Sequence, residues 1–169
     1  MKRGILLVLI LVVCSLSVNA ATFYVSKAGS DSNGGTSWGD AWLTINKAEN
    51  SATADSIIYV ADGTYVEHSY AGSTYPQLVM DSTANNRTFI SFNKSKAIIM
   101  ANTTSTSEAT IVFAQSGEVT FRDFEINGNN SIKSCVEKHA NGVGLTHIIN
   151  NTIVNCSTYG GGKPKSAII

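Results

Sequence analysis

Apolar residues in this chain come in short runs that alternate with polar ones, and the alternation shifts phase at regular points. Val119, Phe121, Phe124 and Ile126 stand at offsets of 0, 2, 5 and 7. The same offsets counted from Thr146 reach Ile148, Asn151 and Ile153, a displacement of 27 residues. Steps of two mark an extended strand with alternate side chains on one face, and the step of three marks a corner after which inward side chains resume. Other strand-like runs are Ile57 to Val60, Thr64 to Val66 after the Asp62-Gly63 turn, Arg87 to Phe92, Ala97 to Met100, Thr110 to Phe113 and Leu145 to Val154. Val60 to Phe92 spans 32 residues and Phe92 to Phe121 spans 29. The period is loose, but it lies in the range of about 20 to 50 residues that marks repeat architectures.

Upstream, Thr22 to Ser26 is a β-branched and aromatic run ending in Gly29 to Thr36, which is turn chemistry throughout. Thr44 then predicts an N-cap for a short helix in which Ile45, Ala48 and Ala52 form one narrow apolar stripe. Trp38 and Trp42 flank its start and read as covers for an apolar end rather than as ligand binders. The pattern therefore predicts a cap over 21–53 and repeating strands over 54–169, about four coils at roughly 20 to 30 residues each. The fold class is all-β, a solenoid in which stacked coils align apolar residues into ladders. An inward Asn such as Asn151 can bond to the layers above and below. A sandwich of short strands and Asn-rich loops is the alternative, and the repeat spacing favours the solenoid.

The first 20 residues stand apart from this pattern. Met1, Lys2 and Arg3 make a basic start, Gly4 to Cys14 an apolar run, and Val18-Asn19-Ala20 a small-residue cleavage site. Together they predict a secretory signal peptide over 1–20. A membrane span needs about 20 apolar residues, and Ser15, Ser17 and Asn19 interrupt this run, so no span is expected after cleavage. Leu11 to Cys14 loosely resembles a lipoprotein box, with Val13 bulkier than the usual small residue, and lipid anchoring at Cys14 is the lesser alternative. The product is expected to be secreted or at the cell surface, extracellular or periplasmic.

Composition narrows the partners. Twelve Lys and Arg balance twelve Asp and Glu, and removal of Lys2 and Arg3 makes the mature chain slightly acidic, so nucleic acid is not expected as a partner. Cys135 and Cys156 remain in an exported chain, where a disulfide and two buried thiols are both open readings. The acceptor triplets at Asn86, Asn93 and Asn102 are those expected by chance in an Asn- and Thr-rich chain.

Phe23 to Ser37, followed by Trp42-Leu43-Thr44-Ile45-Asn46-Lys47-Ala48 and by Ala54 to Tyr65, resembles the amino-terminal segment and first coil of secreted bacterial right-handed parallel β-helix proteins of the pectate-lyase-like kind. In that group an early strand and short helix plug the open end of the coil. The likeness covers Ala21 to about Val66 closely and the later coils through their pattern alone. It implies a right-handed parallel β-helix with an N-terminal capping strand and short helix, monomeric in its full-length form. Its members include pectate, alginate and chondroitin lyases and also surface proteins with no known activity. Enzymes of this kind resemble longer stacks, and the sequence ends on the apolar strand start Ser166 to Ile169. An amino-terminal piece of a longer protein is therefore the expectation.

Two function classes follow. One is a secreted carbohydrate-active β-helix, a lyase on acidic polysaccharide whose catalytic coils lie beyond Ile169. The other is a non-catalytic surface or adhesin-like binding protein. A lyase must neutralise a uronate carboxylate with Ca²⁺ or basic side chains and set a base against the C5 proton. Arg122, Asp123 and Glu125 are the one outward charged grouping on a strand, and they are the candidate substrate-binding residues. Displaced by 27 they become Ile149, Asn150 and Thr152, so no charged strip continues, and a solvated outer face is the plainer account. His139 and His147 have no partner that spacing identifies. The resemblance implies Ca²⁺, and separately Asp31-Ser32-Asn33-Gly34-Gly35 begins like a calcium loop, which makes Asp31 and Asn33 the candidate ligands. Position 12 counted from Asp31 is Trp42, where an EF-hand needs Glu, and turn formation accounts for the loop.

Overall fold

The computed structural model describes residues 20–67, 78–80, 86–101, 109–113, 117–129, 134–138 and 144–156. The signal segment up to Asn19 with Cys14, together with Asn102, His139 and Ser166 to Ile169, lies outside them. The described chain is mostly β, with one short α-helix, and its strands form three parallel sheets.

The first sheet runs β1 (Thr22–Val25), β2 (Ile57–Val60), β5 (Arg87–Ser91), β8 (Val119–Arg122), β11 (Thr146–Ile149). The second contains β3 (Gly63–Tyr65), β6 (Ala97–Met100), β9 (Glu125–Asn127) and β12 (Thr152–Val154), each beside the next. The third contains β4 (Leu78–Met80), β7 (Ala109–Phe113) and β10 (Ser134–Lys138). Parallel neighbours cannot be joined by a tight hairpin and need a crossover. From β2 onward the crossover is made by the other sheets, because the chain lays one strand in each in turn.

The register stacks like on like. Phe23, Ile58, Phe89, Phe121 and Ile148 follow one another across the first sheet, and Phe89 lies stacked on Phe121 at 5.1 Å between ring centroids. Tyr65, Ile99, Ile126 and Ile153 do so across the second, and Leu78, Ile111 and Val136 across the third. Val119, Phe121, Phe124 and Ile126 are all buried, as their spacing predicts, and the ladders meet in a single apolar core. The spacing predicted Phe92 as a ladder member, and there the structure differs: Phe89 stands opposite Phe121, while Phe92 projects outward with 55% of its surface exposed. The inward position two residues after Phe89 is Ser91, whose hydroxyl donates to Asn93 O and accepts from Ala97 N, so a polar residue is satisfied inside.

Corners are built by residues that tolerate a left-handed backbone. Between first and second sheets these are Ser95 (φ 57), Asp123 (φ 67) and Asn150 (φ 54), with Gly63 in the earliest pass. Asn and Asp visit this region more readily than other side-chain-bearing residues. Their side chains tie successive passes together: Asn86 donates to Asp55, Asn93 to Asp62, Asn150 to Asp123 and Asn155 to Asn127. Asn151 donates to Phe121 O at 2.9 Å and accepts from Phe124 N at 2.8 Å, replacing an apolar rung by two bonds to the neighbouring backbone.

The helix α1 (Ile45–Ser51) starts at Thr44, whose hydroxyl accepts from Lys47 N at 3.0 Å. Ile45, Ala48 and Ala52 are buried on its apolar stripe. Trp42 is buried and stacks on Phe23 at 4.9 Å. Gly35 has φ 75, and a Cβ there would stand 2.4 Å from the Trp42 ring, so this turn needs glycine.

Candidate functional site

The three charged residues singled out by sequence do not share one sheet. Arg122 closes β8, Asp123 is the left-handed corner, and Glu125 opens β9 in the second sheet. Arg122 Nε lies 3.3 Å from Asp123 Oδ2, and the other Asp123 oxygen accepts from Asn150. Glu125 accepts from Asn127 at 3.0 Å. The corner therefore brings Arg122 and Asp123 together and turns Glu125 onto the next face. Lys94 reaches along the same corner to Asn150 Oδ1 at 3.0 Å.

Asp31 and Asn33 sit in the cap loop. Asp31 accepts from Leu43 N at 2.9 Å, Thr44 N at 3.0 Å and the Thr44 hydroxyl at 2.8 Å. Asn33 donates to Ala41 O, and its own carbonyl accepts from the Trp42 indole N–H. Both oxygens of Asp31 face N–H and O–H donors, so a cation there would have to displace three hydrogen bonds. These residues fit the turn better than they fit Ca²⁺. Among the described residues no group of three or more His, Cys, Asp or Glu side chains gathers where a metal ion could be held.

Asp31 has a collaborator that sequence reasoning missed. Glu67 accepts from Ile45 N and Asn46 N, both at 2.6 Å. Thus the backbone N–H groups of residues 43 to 47 are each met by a side chain, from Asp31, Glu67 or Thr44. A helix start leaves such donors without intrahelical partners, and carboxylates answer both the hydrogen bonds and the dipole. Burial pushes the Glu67 carboxyl up to about 7 against the opposing pull of those two N–H groups and Lys27. Tyr65, whose hydroxyl donates to Ala61 O, is raised well above the ordinary phenol range by burial and by Glu67.

His147 faces Glu118 across neighbouring passes, Nε2 to Oε1 3.1 Å, with both side chains exposed. Cys135 and Cys156 are joined as a disulfide with their Cα atoms 5.5 Å apart.

One further cluster lies on the outer face of the first sheet. Tyr24 and Tyr59 are register partners on β1 and β2, with ring centroids 6.1 Å apart. Trp38, in the 3-10 turn Trp38–Asp40, packs edge-on against Tyr24 at 4.7 Å and against Phe92 at 5.1 Å. Phe92 in turn stands at 88° to Tyr59. Trp38 keeps 40% of its surface exposed. The available signal was the outward phase of Tyr24 and Tyr59 in their strands, which periodicity gives, but their meeting with Trp38 and Phe92 depends on the tertiary fold.

No protein-family model and no curated protein matches this sequence.

Proposed function

We propose that the chain is an exported right-handed parallel β-helix protein that acts on polysaccharide, with binding rather than bond cleavage as the work of the faces described above. The observation that carries the reading is the strand order: pass after pass adds one strand to each of three parallel sheets. Crossovers between parallel strands of one sheet are right-handed in about 98% of cases, which supports the hand. The likeness of Phe23 to Tyr65 to the cap and first coil of secreted β-helix proteins supports export and carbohydrate as the partner. Stacked corners of Asn, Asp, Ser and Thr present a long polar surface of nearly balanced charge, suited to hydrogen-bonding a hydroxyl-rich chain.

A uronate lyase is the second reading, and Arg122 is the observation that favours it. Its guanidinium is exposed at a corner beside Asp123, where a carboxylate-bearing sugar could reach it. Such a lyase would need a base and a charge-neutralising group aimed at one C5 proton, and Arg122 with Asp123 supplies a single ion pair. The test is a pair of assays on the exported protein: retention by immobilised polysaccharides, and the ultraviolet absorbance of the unsaturated uronate released by elimination from pectate, alginate and chondroitin. Retention without absorbance is expected. An absorbance rise that is lost in Arg122→Ala would replace binding by lysis, and neither signal would remove the carbohydrate reading.

A further inference from the structure

Trp38 and Phe92 are unusual among the large apolar side chains in being both exposed and part of a cluster. They come from separate segments and are held by three ring contacts, with Tyr24, with Tyr59 and with each other, while Tyr24 and Tyr59 meet beneath them. At roughly 150 to 250 Å² for a whole aromatic side chain, the exposed parts of Trp38 and Phe92 amount to about 200 Å². A stable protein partner needs about 800 Å² on each side, so this patch is too small to hold a second copy or another folded chain by itself. It matches a ligand the size of one or two sugar rings.

The chemistry around it points the same way. Both Trp38 neighbours meet it edge-on, at 60° and 78°, so neither ring lies flat against the indole. Exposed Thr36, Ser37 and Asn93 border the patch in sequence; the Ser37 hydroxyl and the Asn93 amide oxygen offer a donor and acceptors to a hydroxylated rim, while Thr36 Oγ1 and Asn93 Nδ2 donate to Asp40 and Asp62. Charge is absent from the rings, and around them Arg122 pairs with Asp123 while Lys94, which reaches a neutral amide, is offset by the carboxylates of Asp40, two residues from Trp38, and Asp62, which accepts from Asn93. A polyanion would meet no net attraction there, whereas a pyranose has an apolar face of C–H groups and a hydroxyl edge.

We infer that Trp38 and Phe92, backed by Tyr24 and Tyr59, form a stacking platform for a neutral sugar ring of a polysaccharide. This rests on the polysaccharide-binding reading above and adds the class of sugar and the place it docks. The chain has two tryptophans, and Trp42 is buried, so ligand-dependent emission reports on Trp38.

The experiment is native affinity electrophoresis of the full chain through gels containing a soluble β-glucan or galactomannan, with polygalacturonate and alginate in parallel, alongside tryptophan emission. A neutral polysaccharide is expected to retard the protein and shift its emission. Trp38→Ala and Phe92→Ser should each weaken retention about tenfold with unchanged circular dichroism, and Trp38→Phe should keep retention while losing the emission shift. Equal retention of native protein and both variants overturns the platform. So does retention by the polyanions alone that is lost at roughly 0.5 M salt, where screening lengths fall to a few ångströms; in that case polysaccharide binding stands and the platform falls. Absence of retention by any of the four polymers removes both.

Discussion

Arg87, at the head of β5, reaches back to α1, where its guanidinium donates to the main-chain carbonyl of Glu49 and to the Glu49 carboxylate at 3.2 Å. The two side chains are 1% and 0% exposed. The pair ties the cap helix to the second pass of the first sheet. Deleting one member of a buried ion pair strands the other charge and costs about 3–5 kcal/mol, whereas replacing both by apolar groups is often close to neutral. Arg87→Met alone is therefore expected to lower the urea-unfolding free energy by that amount, and Arg87→Met with Glu49→Leu to recover most of it. Equal losses in the single and double variants would show that the cost is not that of a stranded charge, and no loss in the single variant would show that the helix docks without the pair.

Glu67 gives the fold a pH dependence of definite sign. Its folded value of about 7 lies above the ordinary 4.5 because burial outweighs the N–H groups of Ile45 and Asn46 and the charge of Lys27, with Asp31 adding to the rise. The folded state thus holds a proton that the unfolded chain releases. That stabilisation is complete below about 4.5 and is lost as pH climbs through about 7. The thermal midpoint should fall between about pH 5 and pH 8, and Glu67→Gln should flatten the decline. A midpoint that rises over the same interval would contradict the assignment.

The link between Cys135 and Cys156 closes a loop over a sequence separation of 21. Loops of that order are worth about 3 kcal/mol through the entropy of the unfolded chain. Reduction, or Cys135→Ser with Cys156→Ser, should lower stability by about that much. Equal denaturation midpoints with and without reductant would show that the clamp adds nothing.

Asp31 carries a contrast between a structural carboxylate and a metal ligand. Asp31→Ala removes the acceptor for Leu43 N, Thr44 N and the Thr44 hydroxyl and should cost about 0.5–2 kcal/mol, as helix-capping losses do. Chelator should leave the melting temperature of the unaltered protein unchanged, and calorimetric titration with Ca²⁺ should show no heat. A chelator-sensitive transition that Asp31→Ala abolishes would restore the metal.

What was legible in the sequence is what local periodicity encodes. The 0, 2, 5, 7 spacing located the corner at Asp123, and the displacement of 27 is the register observed between β8 and β11. Thr44 was readable as a cap because its partner, Lys47 N, lies three residues away. Phe92 was misplaced because Ser91, a polar residue, occupies the inward site and is satisfied by its own turn. Short strands β4 and β10 escaped notice, since three to five residues carry little alternation. Glu67 and Glu49 were invisible for a different reason: their backbone and guanidinium partners lie 22 and 38 residues away in the chain. The outer aromatic cluster likewise exists only once β1, β2, the 3-10 turn and the residue after β5 are assembled.

Because the described strands from β2 onward pair with their counterparts in adjacent passes, whereas β1 is also bonded to the cap loop at Gly35 and Trp42, the described structure is mechanically directional. Tension entering beyond β12 would peel one layer at a time, and each would yield at a modest force without disturbing those beneath. Tension entering at β1 would instead strain the helix, its doubly capped start and the Arg87 tether together. A pull from the β12 side would thus be met by stepwise yielding, and one from the β1 side by a single stiff barrier.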